Sequence, residues 1–239
     1  MTRTHIPIGI GIYGQAEAAR LLRMTPSRLR RWVNGYTYWL HAPVAGQEKR
    51  KRPPVIRTEL PIVEGVVALS FLELMELRVV KAIVDKGLSL QHVRSAARLA
   101  ASRFDTRHPF ASRRVFTDGR NIFSSLSHPE SAPDVVKWDT DEIDQVIAGA
   151  VFEKFLEEIE FDDSTALAHR WWPLGKSTPI VLDPRVSFGA PVVERTGVRT
   201  STLALLAAAS SDRDAADAYQ LDLRFVQAAV AFELQLRAA

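Results

Sequence analysis

The chain of 239 residues contains no cysteine. Disulfides, thiolate zinc sites and cysteine nucleophiles are therefore excluded, and the cytoplasm is the favoured compartment. Long apolar runs are missing too. Nothing approaches the roughly 18 apolar residues of a membrane span, so no membrane partner is expected, and the opening MTRTHIPIGIGIYG has too short an apolar run for a secretory leader. No heptad seam marks a coiled coil. The six histidines, His5, His41, His92, His108, His128 and His169, form no i, i+4 pair, so neither a metal site nor a general base is expected. Acid is scarce at one end. Residues 1–57 hold 11 Lys and Arg against only Glu17 and Glu48, a net charge of +9, whereas the other 182 residues hold 20 basic and 26 acidic residues, a net of −6. Such asymmetry predicts a nucleic-acid module joined to a body with another partner. The hydrophobic share of 46% and charged share of 25% are those of a folded protein with length enough for a core.

The stretch from Gly14 to Tyr36 has the pattern of a helix-turn-helix. Gln15 to Leu22 is rich in Ala and helix-prone, with Ala18, Ala19 and Leu22 on one face. After Arg23 and Met24, Thr25 is placed as an N-cap, Pro26 at the first helical position, and Leu29, Trp32 and Val33 on the inner face of a second helix that Gly35 stops. Its outer side presents Ser27, Arg28 and Arg31, which suits a major groove. The same residues also fit a plain helical hairpin with a solvated basic face. Beyond Gly35, Tyr36 to Leu40 is β-prone, Gly46 permits a turn, and Pro53 to Arg57 is read as the returning edge strand. Lys49, Arg50, Lys51 and Arg52 then fall at the tip of a wing, beside phosphates, with Tyr36 or Tyr38 as a further donor. A basic loop without order is the competing reading.

Further on, Ser70-x-x-Glu73 is a capping box for a helix over Phe71 to Lys86, closed by Gly87 and apolar nearly all round, hence central. Ser89 caps Leu90 to Phe104, which carries a stripe of Val93, Ala96, Ala97 and Ala100. A hairpin is expected from Arg113 to Ser125 around Asp118-Gly119, and a loop from Ser124 to Pro133. Asp139-x-x-Glu142 begins a helix over Thr140 to about Glu160. Its end bears Glu153, Glu157, Glu158, Glu160, Asp162 and Asp163, unfavourable against the helix dipole and read either as a solvated face or as a surface kept for a basic partner. Ile180 to Leu182 and Pro191 to Val193 are expected as short strands. Three helices should follow: Ser201 to Ala209 behind Thr200, Arg213 to Tyr219 behind Asp212, and Leu223 to Arg237 behind Asp222.

Two resemblances rest on these residues. Ala18-Ala19-Arg20-Leu21-Leu22, Thr25-Pro26-Ser27, Arg30-Arg31-Trp32, Leu77-Arg78-Val79-Val80 and Lys86-Gly87-Leu88-Ser89 make residues 12–104 similar to the winged-helix domain of MerR-type regulators. The chain departs from typical members by ending the helix near Phe104 instead of extending it for dimerisation, so promoter untwisting and effector sensing are not carried over. WWPLG, VLDPRVSFGAPVVERTGVRTSTLALLAAA and YQLDLRFVQAAVAFEL make residues 171–236 resemble the trihelical domain of antitoxins encoded beside PIN-like ribonuclease toxins, with Ala209-Ser210 where that family often has Gly. Together the order resembles a VapB-type antitoxin with a MerR-like head.

Two strings mimic enzymes. Gly9-x-Gly11-x-x-Gly14 has the spelling of a dinucleotide fingerprint without the strand before it or the acid-ended strand after it, and Gly175-Lys176-Ser177 is followed by a helix-blocking Pro179. The expectation is a mainly α protein with small β hairpins, divided into residues 1–104 (winged helix-turn-helix), 105–138 (hairpin and connection), 139–170 (connecting helix) and 171–239 (trihelical domain). It is read as a non-enzyme without cofactor or metal. The resemblance implies operator DNA and a PIN-like ribonuclease as partners, autoregulation of its operon, and a homodimer or a hetero-oligomer with the toxin. Thr25, Ser27, Arg28, Arg31, Tyr36, Tyr38 and Lys49 to Arg52 are assigned to DNA; Trp171, Trp172, Arg185, Arg195, Arg199 and Arg237 to the toxin. A stand-alone MerR-like transcription factor and a nucleotide-dependent enzyme are the alternatives.

Overall fold

The computed structural model describes residues 9–42, 46–62, 67–116 and 153–238. The expected Asp118-Gly119 hairpin, the loop over 124–133 and the start of the helix at Thr140 lie outside them. Strand β1 (Tyr13–Gly14) leads into α1 (Gln15–Leu21), whose Ala18, Ala19 and Leu21 are buried. Leu22 forms the C-cap, one residue earlier than the helical pattern suggested, and Arg23, at φ 50°, turns the chain. Helix α2 (Pro26–Asn34) begins as predicted: Thr25 Oγ1 accepts the Arg28 N–H at 3.3 Å, and Leu29, Trp32 and Val33 face inward.

The wing is β2 (Tyr36–Ala42) paired antiparallel with β3 (Gly46–Arg52). This corrects the expected hairpin. Lys49 to Arg52 are the returning strand itself, opposite Trp39 to Tyr36, and Pro53 to Arg57 form no strand. Two prolines lack the N–H that a ladder needs, whereas charged side chains alternate to solvent along a two-stranded ribbon without hindrance.

Strand β4 (Ala68–Leu69) pairs with β1 and runs into α3 (Phe71–Asp85). The Ser70–Glu73 capping box is present in both directions, and Phe71, Leu74, Met75, Leu77, Val79, Val80 and Ile83 are buried. Two acids also face inward. Glu73 accepts the Ser70 N–H at 2.7 Å and also the Glu59 N–H, and Glu76 lies 3.2 Å from His108 Nδ1. Helix α4 (Leu90–Phe104) is capped by Ser89 and buries Val93, Ala96 and Ala100, the small-residue stripe. Residues 113–116 are a helical turn, not a strand. The Val115 N–H turns back to Ser112 O at 3.1 Å, a bond of a helical turn and not of a ladder.

The C-terminal unit starts with a helix over 153–158 that stops before β5 (Ile159–Phe161), so the predicted continuation to Glu160 is corrected. Ile159 goes into the core as an extended residue, paired with Trp171 of β6 (Ala168–Trp171). Strands β7 (Ile180–Val181) and β8 (Val192–Val193) pair across Asp183-Pro184-Arg185. Helices α5 (Thr200–Ala209), α6 (Asp212–Tyr219) and α7 (Leu223–Arg237) follow. Asp222 caps α7 as expected, but Ser211 rather than Asp212 caps α6, and Thr200 is the first residue of α5, not its cap. Thr200 is wholly buried, and its hydroxyl donates to Glu233 on α7.

One hydrophobic cluster runs from Tyr13 and Leu29 through α3 to Trp171, Leu203 and Phe232. Backbone bonds stitch its ends together: Ile12 N–H donates to Phe188 O at 3.0 Å, Phe71 N–H to Ile10 O at 2.9 Å, and the Tyr13 hydroxyl to Gly189 O at 2.8 Å. The Gly9-x-Gly11 string belongs to this crossing. A Cβ on Gly11 would lie 3.0 Å from the Tyr13 ring and 3.2 Å from Phe71 Cβ, so close packing accounts for the glycine. Arg78 is the polar tie. Its guanidinium lies between the rings of Phe155 (4.0 Å) and Trp171 (4.8 Å) and pairs with Glu158. Burial pulls it down to about 10 although the Glu158 carboxylate works the other way.

Candidate nucleic-acid interface

Helix α2 and the wing meet on one surface because Gly35 lets the chain turn sharply between them. Its φ of 69° and ψ of −176° are close to glycine-only backbone, and a Cβ there would lie 2.5 Å from Arg52 O. The Val55 N–H then donates to Trp32 O at 2.7 Å, tying the base of the wing to the end of α2. Register decides what the wing shows. Directly opposed residues share a face, so Tyr36 and Tyr38 lie with Arg52 and Arg50 on one side, and Thr37 and Trp39 with Lys51 and Lys49 on the other.

The first face joins α2. Arg31 sits over the Tyr36 ring at 5.8 Å, Arg52 over Tyr38 at 5.5 Å, and the two tyrosine rings are 6.0 Å apart. Stacking of this kind holds guanidinium groups extended while leaving their N–H edges outward. Ser27 and Arg30 are exposed beside it. Behind the wing, Arg94 of α4 donates to Pro53 O at 2.9 Å; burial, and then the neighbouring Arg52, lower its pKa. Sequence reasoning missed Arg94, because nothing local tells that α4 passes beneath the wing's base. On the second face Lys49 lies 5.8 Å from the centre of Trp39, an indole 57% exposed.

Arg28 stands apart. It stacks on Trp32 at 4.7 Å and pairs with Asp85 at 2.8 Å, and the same carboxylate takes Lys81 at 2.6 Å. Burial works against the Asp85 charge, but these two cations outweigh it and hold the carboxyl below its usual value. Arg28 is thus clamped to the end of α3, whereas Arg31 is carried toward the wing.

At the other end, Asp183 is buried between two arginines. Arg170 Nε donates to it at 2.8 Å, and Arg185 does so through its backbone N–H at 2.9 Å and its Nε at 3.2 Å. Burial opposes the charge, yet these bonds keep the Asp183 carboxyl below the ordinary range. Arg185 remains mostly exposed, as do Arg195 and Arg199, and Arg199 donates to Ser187 O at 3.3 Å. Arg237 lines a separate groove with Asp212 and Glu233. Trp171 and Trp172, expected as contact anchors, are each 3% exposed and lie within the chain's own core. The acidic run is largely occupied internally: Glu158 meets Arg78 and Lys154, Glu160 meets His169 and Arg170, and Asp162 falls to about 2 through hydrogen bonds from Ser164 and Thr165. Among the described residues no helix is long and apolar enough to cross a membrane.

Residues 11–97 match the family described as "Putative DNA-binding HTH domain", and residues 180–232 the family described as "Protein of unknown function (DUF433)". The X-ray crystal structure of Rv2018 from Mycobacterium tuberculosis shares the fold, with a TM-score of 0.69 at 23% identity over 94% of this chain and 99% of that one. "Putative antitoxin VapB45" of Mycobacterium tuberculosis (strain ATCC 25618 / H37Rv) is 30% identical over 219 residues, 88% of each chain. The chain therefore belongs to the VapB-type antitoxin family, with a helix-turn-helix domain at its N-terminal end.

Proposed function

We propose that the protein is a DNA-binding antitoxin that represses its own operon through the head and neutralises a PIN-like ribonuclease through the C-terminal unit, as a homodimer or as a hetero-oligomer with the toxin. The observation that carries the DNA part is the continuous surface of Arg31, Tyr36, Tyr38, Arg50 and Arg52, built from α2 and one face of the wing. Thr25 and Ser27 at the start of α2 approach the groove first, Arg31 reaches bases, and the wing cations Lys49 to Arg52 take phosphates. Arg28 joins only by leaving Asp85. On the toxin side, a nuclease that works through metal-bound carboxylates is blocked by a guanidinium placed in its pocket. Arg185, Arg195 and Arg199, all exposed, are assigned to this, with Arg237 as a further candidate, while the buried Trp171 and Trp172 belong to the core beneath the unit that carries them.

The test uses the full chain. Fluorescence anisotropy with its own upstream DNA should show affinity falling steeply with salt, and each phosphate contact removed by Lys49→Ala or Arg52→Ala should lower the log–log slope by about 0.9. Co-expression with the nuclease of the neighbouring reading frame should yield a complex in which RNA cleavage is blocked. Salt-independent DNA binding rejects the first half of the reading, and an uninhibited nuclease rejects the second.

A further inference from the structure

Helix α5 is a surface helix without a single charge. Its ten residues, TSTLALLAAA, bury only Thr200, Leu203 and Ala204. The opposite side is open: Ser201, Thr202, Leu205, Ala208 and Ala209 are exposed, and Leu205 is 69% accessible. Next to it α7 exposes Gln227, Ala231 and Leu234, one to two turns apart on one line, with Leu234 60% accessible. A solvated helix face is normally polar, and two leucines this exposed on adjacent helices are what the apolar centre of an interface looks like once its partner is removed.

We infer that the α5–α7 face is where two copies of this chain join about a two-fold axis, Leu205 and Leu234 packing against their equivalents and Arg237 of each copy meeting Asp212 of the other. The occupant follows from charge. The groove between the helices, about 160 Å³, is lined by Ala207, Ala208 and Val230 and carries both signs, Arg237 with Asp212 and Glu233. Glu233 is already engaged by Thr200, whereas Asp212 and Arg237 have no ion pair within 4.0 Å among the described residues. A two-fold contact sets residue i against j and j against i, so a face whose Arg237 and Asp212 are both unpaired can match one to the other across the axis. A carboxylate-lined nuclease pocket would instead meet the acids of this face unfavourably. The small Ala side chains let helix backbones approach closely, which raises the contact area that two leucines can close. Dimerisation also meets the need of a helix-turn-helix for paired half-sites, in a chain with no coiled-coil seam.

This deepens the homodimer reading above, and the experiment separates the two. Sedimentation equilibrium of the full chain, without DNA or toxin, should give a dimer at micromolar concentration. Leu205→Glu and Leu234→Glu, both at solvent-facing positions, should each raise the dimer Kd at least about tenfold with an unchanged circular dichroism spectrum. Asp212→Arg and Arg237→Asp should each weaken the dimer, and the double exchange should restore it, which a merely local effect on the fold does not do. A monomeric wild-type chain overturns the homodimer itself. A dimer indifferent to all four substitutions leaves the homodimer standing and overturns this face. Loss of toxin binding in Leu205→Glu with an intact dimer assigns the face to the toxin and overturns it equally.

Discussion

Gly35→Ala is the sharpest test of how the head is assembled. A side chain at φ 69° and ψ −176° enters a region used essentially by glycine alone, at about 1–3 kcal/mol. The added Cβ would also lie 2.5 Å from Arg52 O, 3.1 Å from Pro54 N and 3.2 Å from Pro53 C, all backbone atoms that no rotamer change can move. Overpacking of this kind adds about 1–3 kcal/mol, so the sum is roughly 2–6 kcal/mol. For a chain of this size, at about 2–4 °C per kcal/mol, that corresponds to a fall in Tm of about 4–24 °C by differential scanning calorimetry. Relief requires the base of the wing to move off α2, breaking the bond from Val55 N–H to Trp32 O. DNA affinity should therefore drop even at temperatures where the protein stays folded. Gly14→Ala is the control: it sits at the α1 N-cap with ordinary extended dihedrals and no heavy atom within 4 Å of its Cβ, and should shift stability by less than about 1 kcal/mol. Equal Tm values for the two variants would refute the close crossing.

Arg78→Met should destabilise the fold by about 3–5 kcal/mol in urea titration, since it strands Glu158, while Arg78→Met with Glu158→Leu should recover most of that loss. Asp85→Asn weakens the clamp on Arg28, so DNA affinity should rise or hold while thermal stability slips; a fall in affinity with unchanged stability would show that Asp85 positions Arg28 for DNA. Asp183, whose folded carboxyl lies below its unfolded value, contributes stability that is present above the unfolded pKa and lost as pH falls through the folded one; Asp183→Asn should flatten that acid limb. His108 behaves oppositely. Burial lowers its pKa but its contacts with Glu76 and Glu59 outweigh this and raise it, so its contribution is full below about 6.5 and fades as pH rises through the folded value; His108→Gln should remove that decline from a stability profile.

Where a signal was local, the sequence announced the structure. Thr25-Pro26, Ser70-x-x-Glu73, Ser89 and Asp222 cap the helices that periodicity proposed, because a cap is satisfied within three residues. What needed a distant partner stayed hidden. Thr200 has the chemistry of a cap but is claimed by Glu233, 33 residues on, and Arg28 looked free until Asp85, 57 residues away, closed on it. The run Lys49 to Arg52 reads as a loop because charge carries no strand signal; only pairing with Tyr36 to Trp39 makes it a strand and sorts its cations onto two faces. Trp171 and Trp172 illustrate the same limit for a site, since an aromatic pair before proline has the same spelling whether it lies on a surface or beneath it.

The hydrogen bond from Tyr13 to Gly189 spans 176 residues, and it has a consequence in time. Strand β1 is made near the start of the chain, yet the Gly189 carbonyl that takes the Tyr13 hydrogen bond is made 176 residues later. At translation speeds of about 5–20 residues per second, roughly 9 to 35 s separate the two partners. A nascent head must wait that long with Tyr13 uncovered, so its packing is completed only when the other half of the molecule has been made. A protease that clips the later half would uncover the same tyrosine.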